Sequence, residues 1–327
     1  MRRMVAIFVI GLLMGTVIVV SVALLRPTAP MPEKIDMIVM PHPDDEMEAW
    51  SVIENNTDVY HLFVYLTLGE ETSFCTPDLP GYQEATGERE PRPMPEGKHS
   101  EACESERINS TLHFLNQMAE TDPGLPHGFT ESTMRWSDPF AENGVQLTRS
   151  DGDARAPADR RARVFDGGEQ GQVVFFDMGD GDLTEDETRW VIDTVLANRT
   201  ALGIPDLRWN RLIGASFYHD STYEDCMDYP HPDHKSVHRT VWDDNAGAFS
   251  EWIVPTCRQD PESTRDGVVD HFGDAMELGE PTADGYFSRL GSHNIHYGWL
   301  KSPYYEGDWE GQEKLFQRNQ NFRVRSS

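Results

Sequence analysis

Short apolar runs alternate along the chain with longer segments in which apolar residues recur every three or four positions. A continuous apolar run bounded by turn residues is typical of a buried strand, whereas the wider spacing indicates an amphipathic helix. The runs predict strands over residues 35–40, 59–68, 172–178 and 211–218. The wider spacing predicts a helix over residues 101–118, and a capping box formed by Thr184 and Glu187 predicts another over residues 184–202. We expect a third helix over residues 233–242. Because strands alternate with helices, we expect an α/β fold with a mostly parallel sheet and helices on both faces.

The N-terminus carries the longest apolar run of the chain. Residues 4–25 are uncharged and are flanked by arginines on both sides. Roughly 20 such residues cross the hydrocarbon core of a bilayer as a helix, so we predict a retained transmembrane anchor over residues 1–26. The alternative is a cleaved signal peptide, whose apolar region is usually shorter. The small residues at positions 21–23 resemble a cleavage site, but they lie inside the apolar run rather than after it.

The charges beside this run predict its orientation. Arg2, Arg3 and the terminal amine outweigh Arg26, so the positive-inside rule places the rest of the chain outside the cytoplasm. A short linker over residues 27–34 then leads to one large catalytic domain over residues 35–327. The opposite orientation, with this domain in the cytosol, stays open.

The net charge and the cysteine content indicate which binding partners and which cellular compartment to expect. The chain has 327 residues and a formal net charge of −28, so phosphate backbones should repel it and we expect no nucleic acid partner. Its four cysteines lack the paired spacing of a zinc knuckle, and in an oxidising compartment they would form two disulfides. We expect the local pairs Cys75–Cys103 and Cys226–Cys257, with buried free thiols as the alternative.

Two strings of histidine and aspartate follow predicted strands. Residues 42–46 (His-Pro-Asp-Asp-Glu) come directly after the first strand, and residues 231–234 (His-Pro-Asp-His) follow the strand over residues 211–218. Ligands of parallel sheets bind beyond the carboxyl ends of the strands, so we expect the two strings to meet there. Imidazole and carboxylate groups suit zinc, and the strings offer three such ligands that leave a coordination position for water. These predicted zinc ligands are His42, Asp45 and His234.

The other residues of the strings supply groups for proton transfer and charge stabilisation. Asp44 adjoins Asp45 but should point to another side, where its carboxylate can accept a proton from water as a general base. His231 lies three residues before His234 and, as an imidazolium, could donate to the oxyanion of a tetrahedral intermediate. Asp233 is placed to orient a neighbouring imidazole and to raise its basicity.

At these residues the chain resembles the LmbE/PIG-L family of zinc-dependent N-acetylglucosaminyl deacetylases, whose hallmarks are the same two strings. The resemblance is best over residues 35–118 and 172–245, and it implies a Rossmann-like fold and the ligands and roles given above. It also implies that Tyr229, two residues before the second string, helps to polarise the acetyl carbonyl. The expected substrate is an N-acetylglucosamine-containing glycan or glycolipid, and no protein partner is predicted.

Several alternatives stay open. Leu68 stands where the family often has aspartate, which puts a substrate contact from that position in doubt. The chain could be a zinc hydrolase of another amide or an ester, or an anchored carbohydrate-binding protein with a structural metal. Other candidate metal ligands are His238 and, in the C-terminal tail, His293 and His296. The acidic turn over residues 177–182 could take calcium, but ordinary turn chemistry explains it adequately.

Overall fold

The structure is a computed structural model, and it describes residues 29–71, 101–135, 161–219, 229–244, 247–270 and 319–327. By its internal contacts the chain divides into two units, Met1–Pro30 and Met31–Ser327, and every element described below belongs to the second. Within the described ranges, no helix combines the length and the apolar character that crossing a membrane requires. The predicted anchor over residues 1–26 lies outside those ranges.

The described residues form one sheet of nine strands. In chain order, β1 to β9 are Lys34–Met40, Val59–Tyr65, Thr130–Arg135, Arg161–Asp166, Gly171–Phe176, Arg208–Gly214, Glu251–Thr256, Arg265–Val268 and Asn319–Ser326. Their order across the sheet is β3-β4-β5-β2-β1-β6-β7-β9-β8. The five central strands, β5-β2-β1-β6-β7, pair in parallel with their neighbours in this series. The pairs toward both edges are antiparallel. The fold is therefore mixed α/β with a largely parallel central sheet, which confirms that part of the prediction.

β1 lies in the parallel centre because its residues are apolar on both faces. Ile35, Met37 and Val39 pack into one hydrophobic core, and Ile38 and Met40 pack into the other. All five side chains are fully buried. A strand that is buried on both faces lacks polar alternation, so it is recognised in the sequence as a continuous apolar run.

The described α-helices divide between the two cores. They are α1 (Trp50–Ile53), α2 (Glu101–Met118), α3 (Glu185–Ala197) and α4 (Pro232–Asp243). Side chains of α1 and α2 join the core that contains Ile38, and side chains of α3 and α4 join the other. Helices thus pack against both faces of the sheet. Thr184 and Glu187 form a reciprocal capping box that starts α3, because each side chain accepts the other residue's backbone N–H.

The structure corrects several predicted boundaries. The strand predicted over residues 59–68 ends at Tyr65, and the helix predicted to reach residue 202 ends at Ala197. Five strands were not predicted. Four of them, β3, β4, β8 and β9, form the antiparallel edges, and the fifth, β7, pairs in parallel with its inner neighbour. Cys257 is disulfide-bonded, to a cysteine whose side chain lies outside the described residues. A disulfide is confirmed there, and both predicted pairings stay predictions.

Candidate metal centre

β1 and β6 end side by side, and each leads into one of the two histidine-aspartate strings. The strands pair in parallel, and the N–H of Ala215 continues the pairing by donating to Val39 O at 3.0 Å. His42 lies in the turn after β1, and His234 lies in the first turn of α4, which follows β6. The sheet therefore brings two distant segments to one edge, where the sequence predicted that they would meet.

His42, Asp45 and His234 form a buried group that could hold a metal ion, since one ligand atom from each lies within 4.8 Å of the others. His42 Nδ1 lies 3.1 Å from Asp45 Oδ2, and His234 Nε2 lies 3.4 Å from Asp45 Oδ1. The backbone N–H of His42 also donates to Asp45 Oδ2 at 2.9 Å, which fixes the carboxylate between the two rings. Two imidazoles and a carboxylate are a donor set that fits zinc.

The opposite ring nitrogen of His42 faces two further carboxylates. His42 Nε2 lies 3.0 Å from Asp233 Oδ2 and 3.0 Å from Asp180 Oδ1. The buried carboxylate of Asp233 is held by the backbone N–H groups of Gly181 and Leu183, which donate to it at 2.7 and 2.9 Å. Asp233 therefore orients the ring of His42, with Nε2 toward the carboxylates and Nδ1 toward Asp45.

Asp180 belongs to this site, although the sequence indicated only an acidic turn there. Its Oδ2 accepts a hydrogen bond from the backbone N–H of Glu71 at 2.7 Å. Burial lowers the pKa of His42, but Asp180, followed by Asp233 and Asp45, raises it well above its usual value. Burial raises the pKa of Asp180, yet His42 lowers it overall. The sequence held one signal for Asp180, since its turn follows a predicted strand, as both strings do.

Asp44 adopts a strained backbone conformation beside the ligand group. Its φ of 113° is unusual for a residue other than glycine, and such strain is concentrated at functional sites. The turn is held by Glu46, whose Oε2 accepts from Asp44 N at 3.0 Å and from the hydroxyl of Tyr65 at 2.9 Å. Burial raises the pKa of Asp44 well above its usual value, although Arg107 opposes this shift. The Asp44 side chain is 21% exposed, so it is open to solvent while Asp45 is buried.

Arg107 lies beneath this turn, and the sequence did not single it out. From α2, its Nη2 donates to Pro43 O at 3.2 Å, and its Nη1 lies 4.0 Å from Asp44 Oδ2. Burial lowers the pKa of Arg107 to about 10, so the guanidinium stays charged at neutral pH. Gly69 makes room for it: the φ of Gly69 is +62°, and a Cβ there would clash with the guanidinium.

His231 and Tyr229 lie around the ligand group. The ring centroid of His231 lies 5.0 Å from that of His42, and the ring of Tyr229 lies 4.8 Å from that of His234. A second group with metal-ligating atoms within 4.8 Å combines His42 with His231 and Asp233. In this group His231 is only partly buried, whereas the first group is wholly buried. Burial, followed by the charge of His42, lowers the pKa of His231, which favours the neutral ring.

Glu48 contacts the far side of His234 and was not predicted. The backbone N–H of Phe217 donates to its Oε2, and its Oε1 lies 3.6 Å from His234 Nδ1. Among the described residues, neither Glu48 Oε1 nor His234 Nδ1 has a hydrogen-bond partner. Burial lowers the pKa of His234 to about 3, so its ring is neutral at neutral pH, the form that ligates metals. Burial, followed by the charge of Asp45, raises the pKa of Glu48.

The structure describes one of the other candidate ligands, His238. His238 Nδ1 makes a 3.0 Å hydrogen bond with Ser216 O, and neither metal-ligating group found among the described residues includes His238. Burial lowers the pKa of His238 to about 4. His293 and His296 lie outside the described residues.

Comparisons of the chain with protein-family models, with curated proteins and with solved structures found no match. The resemblance to the LmbE/PIG-L family stays a prediction, based on the two strings in the sequence.

Proposed function

We propose that this chain is a zinc-dependent de-N-acetylase that acts on an N-acetylglucosamine-containing glycan or glycolipid. The observation that carries the proposal is the convergence of His42, Asp45 and His234, with the strained Asp44 beside them. Three protein ligands leave a coordination position open, which is typical of a catalytic rather than a structural zinc site. The two complete strings of the resembled family support the choice of reaction.

His42 Nδ1, Asp45 and His234 Nε2 would hold the ion, because these atoms face one another. When bound, zinc supplies a Lewis acid that makes water acidic enough to react near neutral pH. Asp180 and Asp233 keep His42 oriented by accepting from its Nε2. Such hydrogen bonds from a ligating histidine to a carboxylate raise the basicity of the ligand.

Asp44 would act as the general base. A carboxylate whose pKa is raised toward the working pH is a stronger proton acceptor than an ordinary aspartate. Asp44 takes a proton from the attacking water, whose oxygen bonds to the acetyl carbon. The carbon–nitrogen bond then breaks, the amine leaves with the proton from Asp44, and acetate is released. Arg107 opposes the effect of burial on the pKa of Asp44, which favours the ionised form that accepts a proton.

His231 and Tyr229 would stabilise the charge that develops on the acetyl oxygen. Both are partly buried, whereas the ligand group is wholly buried. The lowered pKa of His231 favours a neutral ring, so we propose donation of one neutral N–H rather than the imidazolium that the sequence suggested. A preorganised donor of this kind contributes roughly 3–4 kcal/mol to transition-state stabilisation.

The same proposal includes a Rossmann-like arrangement, an N-terminal membrane anchor and a catalytic domain outside the cytoplasm. The parallel strands at the sheet centre support the first, and the apolar run over residues 4–25 supports the second. The disulfide at Cys257 supports an oxidising compartment. Protease added to intact cells should digest the domain; digestion only after lysis would contradict this orientation.

Acetate release tests the proposed reaction. Zinc-loaded full-length protein is incubated with free, oligomeric and lipid-linked N-acetylglucosamine, and with simple amides and esters as competing substrate classes. We expect acetate from at least one N-acetylglucosamine conjugate, loss of release after chelation, and recovery when zinc is restored. Release from esters or other amides alone would overturn the substrate, and release that survives complete removal of metal would overturn the mechanism.

A further inference from the structure

The ring of His234 lies between two buried carboxylates, and only one of them belongs to the proposed ligand set. Its Nε2 lies 3.4 Å from Asp45 Oδ1, and its Nδ1 lies 3.6 Å from Glu48 Oε1. The side chain of Glu48 is fully buried, so no solvent molecule can donate a hydrogen bond to its Oε1. A buried carboxylate oxygen without a hydrogen bond is costly, and at 3.6 Å the ring nitrogen lies just beyond hydrogen-bond distance from Oε1, so a small shift would satisfy both atoms.

The two oxygens of the Glu48 side chain face different groups. Its Oε2 already accepts from the backbone N–H of Phe217, so both oxygens face potential donors. A glutamine in place of Glu48 would have only one acceptor oxygen. Its amide NH₂ group would face one of the two donors and could not accept from it. The same segment holds the backbone of His234, because the hydroxyl of Ser216 donates to His234 O at 2.8 Å. Residues 216–217 and Glu48 thus fix both the backbone and the ring.

We propose that Glu48 is a positioning residue that holds His234 in the tautomer with a protonated Nδ1, so that the bare Nε2 faces Asp45 and the metal. This inference rests on the proposed metal-dependent function. A ligating histidine whose other N–H donates to a carboxylate is more basic and better oriented, and loss of that partner typically weakens metal binding about 10–100-fold.

Zinc affinity of the full-length protein, measured by competition with a chelator, tests the role of Glu48. We expect Glu48→Gln to bind zinc about 10–100-fold more weakly than the wild type. Glu54→Gln is the matched control, because Glu54 is also buried and also accepts from a backbone N–H, that of Asp270, away from the ligand group. The control should keep wild-type affinity. Wild-type affinity in Glu48→Gln would overturn the inference alone, whereas a wild type that binds no zinc would overturn the proposed function as well.

Nitrogen-15 NMR of labelled histidines gives a second test that needs no substitution at Glu48. In the zinc-loaded wild type, we expect the proton of His234 on Nδ1 and the metal on Nε2. A proton on Nε2, with the metal on Nδ1, would overturn the inference even if Glu48→Gln failed to fold. The same measurement on Glu54→Gln should give the wild-type tautomer.

Discussion

The two ends of β1 bury charge in opposite ways. Near its start, Asp36 is buried against Arg211, whose Nε donates to Asp36 Oδ2 at 2.6 Å. The other oxygen of Asp36 accepts from Asn210 Nδ2 at 2.7 Å and from the backbone N–H of Arg211 at 3.1 Å. Arg211 Nη2 also donates to Val52 O at 2.9 Å. Opposite charges are matched there and each has hydrogen-bond partners, which is the condition under which a buried ion pair is tolerated.

At the end of β1, acidic groups are crowded without such matching. The carboxylates at this end include Asp44, Asp45, Glu46, Glu48, Glu70, Asp180 and Asp233. Burial and neighbouring carboxylates raise the pKa values of Asp44 and Glu48 because like charges are forced together. Raised pKa values of buried carboxylates are typical of functional sites. A bound cation would lower these pKa values again. Burial of matched charges therefore stabilises the fold, whereas burial of unmatched carboxylates prepares a site for a cation.

The largest expected effect is on catalysis. Asp44→Asn keeps the shape of the side chain but cannot accept a proton, so acetate release should fall about 10²–10⁴-fold. Zinc affinity should change little because Asp44 is outside the ligand group. Steady-state rates and zinc titration of the same preparation measure both quantities. Undiminished acetate release would show that Asp44 is not the base.

Removal of the matched cation at the start of β1 should affect stability instead. Arg211→Met leaves Asp36 buried without its partner, so the free energy of unfolding in urea should fall by about 3–5 kcal/mol. Arg239→Met is the control, since the side chain of Arg239 is 43% exposed and lies 3.9 Å from Glu185. It should cost about 0–1 kcal/mol. Equal losses in the two variants would contradict the structural role of the Asp36–Arg211 pair.

Gly69→Ala should have an intermediate effect, because it combines backbone strain with a clash against Arg107. We expect a stability loss of about 1–3 kcal/mol and slower acetate release, since displaced Arg107 no longer supports Asp44. Gly128 has nearly the same φ, +65°, but a Cβ at that position would meet no atom of the described residues within 4 Å, so Gly128→Ala isolates the backbone strain. If both variants release acetate at the same rate, Arg107 does not support Asp44.

The smallest effect concerns pH and the metal-free protein. The folded pKa of His42 is raised, so its contribution to stability is fully present below about pH 6.5 and is lost as pH rises through the folded pKa. Asp180→Asn removes the largest contribution that raises this pKa, and each unit removed costs about 1.4 kcal/mol between about pH 4, above which unfolded Asp180 is ionised, and about pH 6.5. Urea denaturation across pH should therefore show a gap between wild type and variant that shrinks as pH rises. A constant gap would contradict the Asp180–His42 interaction.

The parallel centre of the fold was predictable, whereas its edges were not. β1 is apolar at nearly every position because both faces are buried, and that leaves a clear run in the sequence. β9 alternates apolar Phe322 and Val324 with polar residues over a short span, and the fold chooses its antiparallel partners, β7 on one side and β8 on the other. Local pattern carries little information about that choice.

The ligand group was predictable for a different reason. His42 and Asp45 lie in one turn, and His234 follows the end of another strand. The two strings, together with the rule that ligands bind beyond the carboxyl ends of parallel strands, were therefore sufficient to predict the group. Glu48 and Arg107 gave no such signal, because the groups they contact, the backbones of Phe217 and Pro43, are distant from them in the sequence. Their side chains are ordinary residues of helical segments until β6 and the turn after β1 are placed beside them.

The most direct test of the metal centre is anomalous diffraction at the zinc edge from crystals of the zinc-loaded protein. We expect one strong peak within bonding distance of His42 Nδ1, Asp45 and His234 Nε2, with a coordination position that no protein atom fills. A peak bonded by four protein ligands would indicate a structural metal. A peak at another place, or none at the end of β1, would contradict the central claim that the two strings build a catalytic zinc site.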